Sequence, residues 1–200
     1  MDATGRADTP GVAVLLPVKA FHLAKIRLAP ALDPPARAAL ARSMASTVVH
    51  AAHALPAYVV CDDDDVALWA VAAGCTVLWR PGLGLNAAVR SGVDAIAELG
   101  FGSAIVAHAD LPHADDLTSL VNERPMSSIT LVPDRHDDGT NVIVLPTHVA
   151  FKFAYGPQSF ARHLATAHAT GLPVVVERRP RLGWDVDEPA DLILPEWATP

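Results

Sequence analysis

Three cations follow an apolar segment near the start of the chain. Residues 12–18 form an apolar run that contains Pro17, and Lys19, Lys25 and Arg27 come after it. A short apolar run bounded by proline is typical of a buried strand, and the loops at the carboxyl ends of strands bind ligands in open α/β sheets. Lysine and arginine donate hydrogen bonds without accepting them, which suits phosphate oxygens. The pattern indicates a polyphosphate site, and a solvated basic loop is the alternative.

Carboxylates at two distant places in the chain could hold a divalent cation. Asp110 ends an apolar run that is predicted to be a strand, at the same edge of a parallel sheet as the Lys19 loop. Asp185 and Asp187 are two residues apart in an extended segment, so their side chains project to one side. Such oxygen ligands suit Mg²⁺, which binds through one or two carboxylates and substrate phosphates. The alternative is that Asp187 caps the last helix and Asp110 caps a turn.

Small and polar residues supply the remaining candidates. Gly139 permits a close backbone approach, and Ser159, near a predicted helix start, could join backbone amides in holding an anion. Asn86 follows Gly84 and is either a ligand contact or a helix-entry residue. Ordinary turn chemistry is the alternative for all of them.

Composition limits the classes of protein. A chain of 200 residues that is 51% hydrophobic fits one domain, and its net charge of −7 argues against a general nucleic-acid or anionic-membrane surface. No apolar run approaches the roughly 20 residues of a membrane span, and residues 1–10 lack the order of a secretory signal. A cytoplasmic protein is expected. Its two cysteines, Cys61 and Cys75, are predicted to be core thiols.

Two other sets of side chains invite a metal hypothesis. Nine histidines are present, but without HExxH or a comparable ligand array, which disfavours a histidine-based transition-metal site. The run Asp62–Asp65 could bind metal, yet it precedes a predicted helix. Capping and favourable first-turn charge are the favoured interpretation of this run.

The elements that must position these residues alternate along the chain. Helices are predicted over 34–53, 66–73, 86–100 and 158–169, near Asp115 and after Asp187, and strands over 12–18, 58–61, 76–80, 103–110, 128–132, 141–145 and 174–177. Alternation predicts a mostly parallel sheet covered on both faces, and the closely spaced strands after residue 127 predict local antiparallel pairing. We expect one three-layer α/β sandwich over 11–195, a disordered leader over 1–10 and a tail over 196–200.

Seven short motifs, taken in order, resemble the 2-phospho-L-lactate guanylyltransferase family, the CofC-like enzymes of deazaflavin coenzyme biosynthesis. They are Pro17–Lys19, Ala24–Leu28, Gly84–Asn86, Ala109–Pro112, Pro133–Asn141, Phe153–His163 and Asp185–Leu192. Each motif is weak by itself, but seven in the right order over nearly the whole chain are specific.

The resemblance implies a nucleotidyltransferase with the nucleotide-diphospho-sugar transferase fold. Such an enzyme would transfer GMP from GTP to 2-phospho-L-lactate, phosphoenolpyruvate or 3-phosphoglycerate, release pyrophosphate, and pass an unstable product to the next enzyme. Its expected partners are GTP and a small phosphorylated acid, its expected cofactor is Mg²⁺, and a homodimer is left open. The alternatives are a transferase of molybdopterin guanylyltransferase or cytidylyltransferase type and a noncatalytic nucleotide-binding module.

The same resemblance assigns residues to tasks. Nucleotide binding falls to Pro17, Val18, Lys19, Lys25, Arg27, Gly84, Leu85 and Asn86, and acceptor binding to Thr140, Asn141, Gly156 and Ser159. The metal ligands would be Asp110, Asp185 and Asp187, and the catalytic residues Lys19, Lys25 and Asp110. The chain departs from the family at two positions. Ile26 stands where the family often has Ser or Thr, and His108 stands where the family often has a small or polar residue. These departures leave the choice of acceptor open.

Overall fold

The computed structural model describes residues 11–122, 125, 127–193 and 195. The leader predicted over 1–10 and the tail predicted over 196–200 lie outside the described residues. Within the described part of the chain, no helix combines the length and the apolar character that crossing a membrane requires.

Seven strands of the described chain form one mixed sheet in the order β3-β2-β1-β4-β6-β5-β7. They are β1 (Val12–Pro17), β2 (Ala57–Cys61), β3 (Thr76–Trp79), β4 (Ser103–Ala107), β5 (Ile129–Pro133), β6 (Thr140–Pro146) and β7 (Val174–Val176). β1 pairs in parallel with β2 and β4, and β2 pairs in parallel with β3. β6 runs antiparallel to both β4 and β5, and β7 is parallel to β5. The predicted mixed, mostly parallel sheet is confirmed.

Helices cover both faces of the sheet. They are α1 (Pro34–Ala51), α2 (Asp64–Ala72), α3 (Leu85–Glu98), α4 (Ser119–Asn122) and α5 (Ser159–Ala169), with 3-10 turns at Phe21–Leu23, Ile26–Leu28 and Pro189–Leu192. Val14 and Leu16 of β1 pack with α1 and α2 in one apolar cluster. Leu15, between them, packs with α3 and α5 on the opposite face, as the alternation of side chains along a strand requires. The fold is the predicted three-layer sandwich.

Aspartates start the first two helices. Asp33 accepts a hydrogen bond from the Ala36 amide at 2.8 Å, and prolines occupy the first turn of α1. Asp63 accepts from the Val66 amide at 3.1 Å, with Asp64 and Asp65 in the first turn of α2. The capping interpretation of the acidic run is confirmed.

Two predicted elements differ from those observed. The strand predicted over 103–110 ends at Ala107, although the His108 amide still donates to the carbonyl of Asn141 at 2.9 Å. The helix predicted near Asp115 is instead the short α4. It begins later because the Asp116 carboxylate accepts from the amides of Thr118 and Ser119 and caps the turn there.

Gly92 lies where α3 packs closely against β1. A Cβ atom at this position would lie 2.6 Å from Cδ2 of the fully buried Leu15. Overpacking a core costs roughly 1–3 kcal/mol, against roughly 1 kcal/mol that alanine gains over glycine in a helix. We expect Gly92→Ala to lower the free energy of unfolding by about 1 kcal/mol in urea denaturation. In a Leu15→Ala background, Gly92→Ala should leave the free energy of unfolding unchanged or raise it. An equal loss of unfolding free energy in that background would show that a clash with Leu15 is not the cause.

Candidate active site

One edge of the sheet gathers the candidate residues. The carboxyl ends of β1, β2 and β4 lie at this edge because the three strands are parallel. β6 runs the other way, so its first residue, Thr140, lies at the same edge. A distant segment joins them, because the Val186 amide donates to the Asp110 carbonyl at 3.3 Å. Asp185 and Asp187 therefore flank Asp110, as the sequence predicted.

A cavity of about 440 Å³ opens at this edge. Its lining includes six of the eight residues predicted to bind the nucleotide, namely Pro17, Val18, Lys19, Lys25, Arg27 and Leu85. A second cavity of about 240 Å³ shares Lys19 and Leu85 with it and extends to Arg80. The remaining two residues have local contacts: Gly84 is the N-cap residue of α3, and the Asn86 side chain accepts from the Tyr155 amide at 2.7 Å.

Lys25 lies on the wall of the cavity between two carboxylates. Its Nζ is 2.7 Å from Asp110 Oδ2 and 3.0 Å from Asp187 Oδ1, and its side chain is only 10% exposed. Its backbone has φ +55°, a left-handed conformation that residues other than glycine rarely adopt. Burial alone would lower the pKa of Lys25, but the attraction of Asp110 and Asp187 outweighs it and raises that pKa. The ammonium group therefore stays charged.

Arg27 adds a second cation on the outer side of Asp187. Its Nη1 lies 3.4 Å from Asp187 Oδ2, and its side chain is 72% exposed. Both carboxylate oxygens of Asp187 therefore face protein cations. Ile26, between the two cations, is exposed and lines the cavity.

Two other carboxylate oxygens are buried without a hydrogen bond. Asp110 Oδ1 and Asp185 Oδ1 have no hydrogen-bond partner among the described residues, although Arg135 Nη1 lies 3.6 Å from Asp185 Oδ1 in an ion pair. Burial, reinforced by the charge of Asp110, raises the pKa of Asp185 to about 6. Buried polar groups normally have hydrogen-bond partners, and carboxylate oxygens are ligands that Mg²⁺ takes in proteins. The donor atoms of Asp110 and Asp185 fit a hard divalent cation.

The structure does not bring the three carboxylates that were predicted to bind metal into one close group. Within the described ranges, no three His, Cys, Asp or Glu side chains are grouped closely enough to hold a metal ion. Lys25 occupies the space that joins Asp110 to Asp187. A cation here would take protein ligands from Asp110 and Asp185 and complete its coordination with substrate phosphates and water.

Arg135 holds the segment that carries Asp185 and Asp187. It donates to the Asp185 carbonyl at 2.9 Å, pairs with Asp191, and lies 4.3 Å from the centre of the Trp184 ring. Asp191 also accepts from the Asp187 amide at 2.8 Å. The final 3-10 turn is capped by Glu188 rather than Asp187, so the capping alternative for Asp187 is wrong.

Thr140 lies beside a buried histidine. Its Oγ1 is 3.0 Å from His163 Nδ1, and His163 Nε2 accepts from the Ala154 amide at 2.8 Å. The Tyr155 ring packs against His163 at 4.7 Å and against His108 at 4.8 Å between centroids. Tyr155 Oη and His108 Nε2 are buried without a hydrogen-bond partner in the described part of the protein.

The other residues predicted to bind the acceptor have visible structural contacts. The Asn141 side chain donates to the Leu182 carbonyl at 3.0 Å and is buried. The Ser159 amide donates to the carbonyl of Gly156, whose φ of +120° favours glycine. Their contacts with an acceptor remain predictions.

Gly139 does permit a close approach, but the approaching group belongs to the chain. A Cβ atom there would lie 2.8 Å from Asp134 Oδ2, and the Asp134 carboxylate accepts from the Gly139 amide at 2.7 Å. Gly139 therefore shapes the loop that leads into Thr140.

Tyr155 and His163 belong to the motif Phe153–His163, but sequence reasoning assigned no role to either side chain. One signal could have found the tyrosine. Phe151, Phe153 and Tyr155 alternate with other residues, and all three pack in the same apolar cluster. A single hydroxyl at the end of such an apolar series is a candidate polar contact.

Comparison with known proteins identifies relatives of similar length. Phosphoenolpyruvate guanylyltransferase of Sphaerobacter thermophilus is 39% identical over 184 residues, which cover 89% of each chain. 2-Phospho-L-lactate guanylyltransferase of Methanothermobacter thermautotrophicus is 30% identical, over 89% of this chain and 81% of the relative.

A solved structure has the same fold, and a family model spans the domain. The structure, described as a nucleotide-diphospho-sugar transferase from Desulfovibrio desulfuricans, has a TM-score of 0.75 at 15% identity and covers 90% of this chain and 84% of its own. The predicted nucleotide-diphospho-sugar transferase-like fold is confirmed. The model of the family "Guanylyl transferase CofC like" matches residues 12–194. With that match and relatives at this level of identity, the chain belongs to the CofC-like guanylyl transferase family.

Proposed function

We propose that this protein transfers GMP from GTP to phosphoenolpyruvate, or to a closely related phosphorylated acid, and releases pyrophosphate in deazaflavin coenzyme biosynthesis. One observation carries the proposal most directly: a charged lysine and the carboxylates of Asp110 and Asp187 line a cavity of about 440 Å³, and one buried oxygen of Asp110 has no hydrogen-bond partner among the described residues. Nucleotidyl transfer requires cations and metal ligands at one place, because charge on the phosphates must be neutralised.

The cations at the rim suit the triphosphate. Lys19, Lys25 and Arg27 come from one loop and all line the cavity. An ammonium group has three donors, and Lys25 uses two of them on Asp110 and Asp187. Its third donor can contact a phosphate oxygen without breaking either ion pair. We assign GTP to this cavity, with the phosphates at the Lys25 end.

Asp110 and Asp185 are the residues that would hold Mg²⁺, with Asp187 at the margin of the site. Bound there, the metal would neutralise charge on the phosphates and on the departing pyrophosphate. The buried oxygens of Asp110 and Asp185 that lack a hydrogen bond within the described residues support this assignment.

The reaction makes one bond and breaks one. A phosphate oxygen of the acceptor attacks the α-phosphorus of GTP, and the bond from that phosphorus to the oxygen that bridges the α- and β-phosphates breaks, so pyrophosphate leaves with that oxygen. The attacking oxygen is already anionic near neutral pH, so no side chain has to remove a proton. Positioning and positive charge from Lys25 then supply the stabilisation of the transition state.

Phosphoenolpyruvate is the preferred acceptor in this proposal. The relative at 39% identity is named for phosphoenolpyruvate, whereas the relative named for 2-phospho-L-lactate is at 30%.

We also propose a cytoplasmic enzyme, because Cys61 and Cys75 are buried free thiols, as in proteins of reducing compartments.

Pyrophosphate release tests the proposal. Purified protein with GTP and Mg²⁺ should release pyrophosphate with phosphoenolpyruvate at a kcat/KM at least about tenfold above that with 2-phospho-L-lactate or 3-phosphoglycerate. The next enzyme of the pathway is added to trap the unstable product, and ATP and CTP replace GTP as controls. If no acceptor supports release from GTP, the proposed function is wrong. Faster release from CTP would favour a cytidylyltransferase.

A further inference from the structure

His163 has a defined arrangement of hydrogens. The Ala154 amide is a donor, so His163 Nε2, 2.8 Å away, accepts from it and carries no hydrogen. The ring is fully buried, and burial lowers the pKa of His163 to about 4, so the imidazole is neutral. Its one hydrogen is therefore on Nδ1, which faces Thr140 Oγ1 at 3.0 Å.

This arrangement decides what Thr140 can do. A hydroxyl group both donates and accepts, and its rotation normally leaves the choice open. Because His163 Nδ1 donates to the Thr140 oxygen, the hydroxyl hydrogen of Thr140 remains available for another acceptor. Thr140 is buried and lies at the sheet edge where the candidate site is found.

Neighbouring polar atoms indicate that a ligand belongs there. Tyr155 packs against the His163 ring, and its buried Oη has no partner among the described residues. The His108 ring also packs against Tyr155, and its buried Nε2 has no hydrogen-bond partner among the described residues. Native structures contain few such groups, and a ligand or water usually explains them. Burial raises the pKa of the Tyr155 hydroxyl, so this hydroxyl also keeps its hydrogen to donate.

We propose that His163 is a positioning residue that fixes the Thr140 hydroxyl as a donor to the carboxylate of the acceptor acid, with Tyr155 as the second donor. The inference rests on the proposed function. His108 separates this group from Asp110, since its Nδ1 lies 3.9 Å from Asp110 Oδ1. The reacting phosphate of the acceptor then lies at the Asp110 end, and its carboxylate at the Thr140 end. Donors suit an anionic oxygen, so the subsite selects for a carboxylate.

Two matched substitutions at His163 test the role. His163→Phe keeps a planar ring and removes both hydrogen bonds, whereas the side-chain amide of His163→Asn can still donate to Thr140 near the position of Nδ1. His163→Phe should raise KM for phosphoenolpyruvate about tenfold or more and leave KM for GTP within about twofold. His163→Asn should recover most of the loss. Thermal unfolding of each variant measures the structural effect separately.

A double-mutant cycle with Thr140→Val separates positioning from general damage. The effect of His163→Phe on KM for phosphoenolpyruvate should disappear in the Thr140→Val background, while its effect on thermal stability should persist. Ethyl phosphate, which lacks the carboxylate, should be a poor acceptor whose KM no variant changes. Equal effects of His163→Phe in both backgrounds would overturn the inference. An inactive wild-type enzyme would instead refute the proposed function itself.

Discussion

Asp110→Asn should reduce kcat for pyrophosphate release by about 1000-fold. Asp110 has two roles in the site: one oxygen pairs with Lys25 at 2.7 Å, and the other is buried without a hydrogen bond within the described structure. The amide removes the negative charge that attracts both the lysine and a metal. The steady-state rate at saturating GTP and phosphoenolpyruvate, measured over a range of Mg²⁺ concentrations, checks this prediction.

The control for Asp110→Asn is Asp94→Asn. Asp94 is an exposed carboxylate on α3 that pairs with Arg90, outside the lining of the cavity, so its substitution should leave kcat unchanged. Binding of Mn²⁺, followed by its paramagnetic signal, gives a readout that does not depend on turnover. An Asp110→Asn/Asp187→Asn double variant that still turned over at the normal rate would refute the metal assignment.

Lys25→Met should have two separable effects. It removes the ammonium group while keeping a side chain of similar length, so kcat/KM for GTP should fall by about 100-fold or more. It also leaves Asp110 and Asp187 without their shared partner, and an uncompensated buried charge destabilises a protein. Because Asp187 is 47% exposed, we expect a loss of only roughly 1–3 kcal/mol in the free energy of unfolding.

A metal ion should restore part of that stability. With the lysine gone, Asp110, Asp185 and Asp187 present negative charge with less compensation, so Mn²⁺ should raise the unfolding temperature of Lys25→Met more than that of the wild type. Arg27→Met is the matched control, because Arg27 is mostly exposed and its pair with Asp187 is long. It should raise KM for GTP without measurable loss of stability. An equal response of both variants to Mn²⁺ would show that Lys25 does not compete with the metal.

The sequence predicted that the segment of Asp185 and Asp187 lies beside Asp110, and the backbone contact confirms it. Among the described residues, however, the three carboxylates are not grouped closely enough to share one cation. The sequence could not predict the partners of Lys25. They are 85 and 162 residues away along the chain, and the lysine reaches them from a left-handed backbone conformation that local propensity disfavours. Long-range packing overrode local preference there.

The sequence also could not predict the direction of the hydrogen bond between His163 and Thr140, because that direction depends on where the hydrogens are. Thr140 was expected to contact the acceptor, but only the three-dimensional contacts of His163 show which way its hydroxyl donates. The end of β4 was also predicted three residues too late, because no glycine or proline occurs between Ala107, the last strand residue, and Pro112 to mark where the strand ends. Patterns of residue type locate elements well, whereas they carry little information on where a hydrogen bond ladder ends.

The order of the strands in the sheet also has an evolutionary consequence. Strands β1 to β4 form one side of the sheet and come from the first 107 residues, whereas β5 to β7 form the other side and come from residues 129–176. On the proposed assignments, the first stretch of the gene encodes the cations that bind GTP, and residues 129–176 encode most of the contacts with the acid, whereas Asp185 and Asp187 follow both stretches. Recombination or drift confined to the second stretch could give a new acceptor preference while the nucleotide half is inherited intact. Chimeras of two family members joined between residues 112 and 128 would show whether the acceptor preference follows the second stretch of the chain.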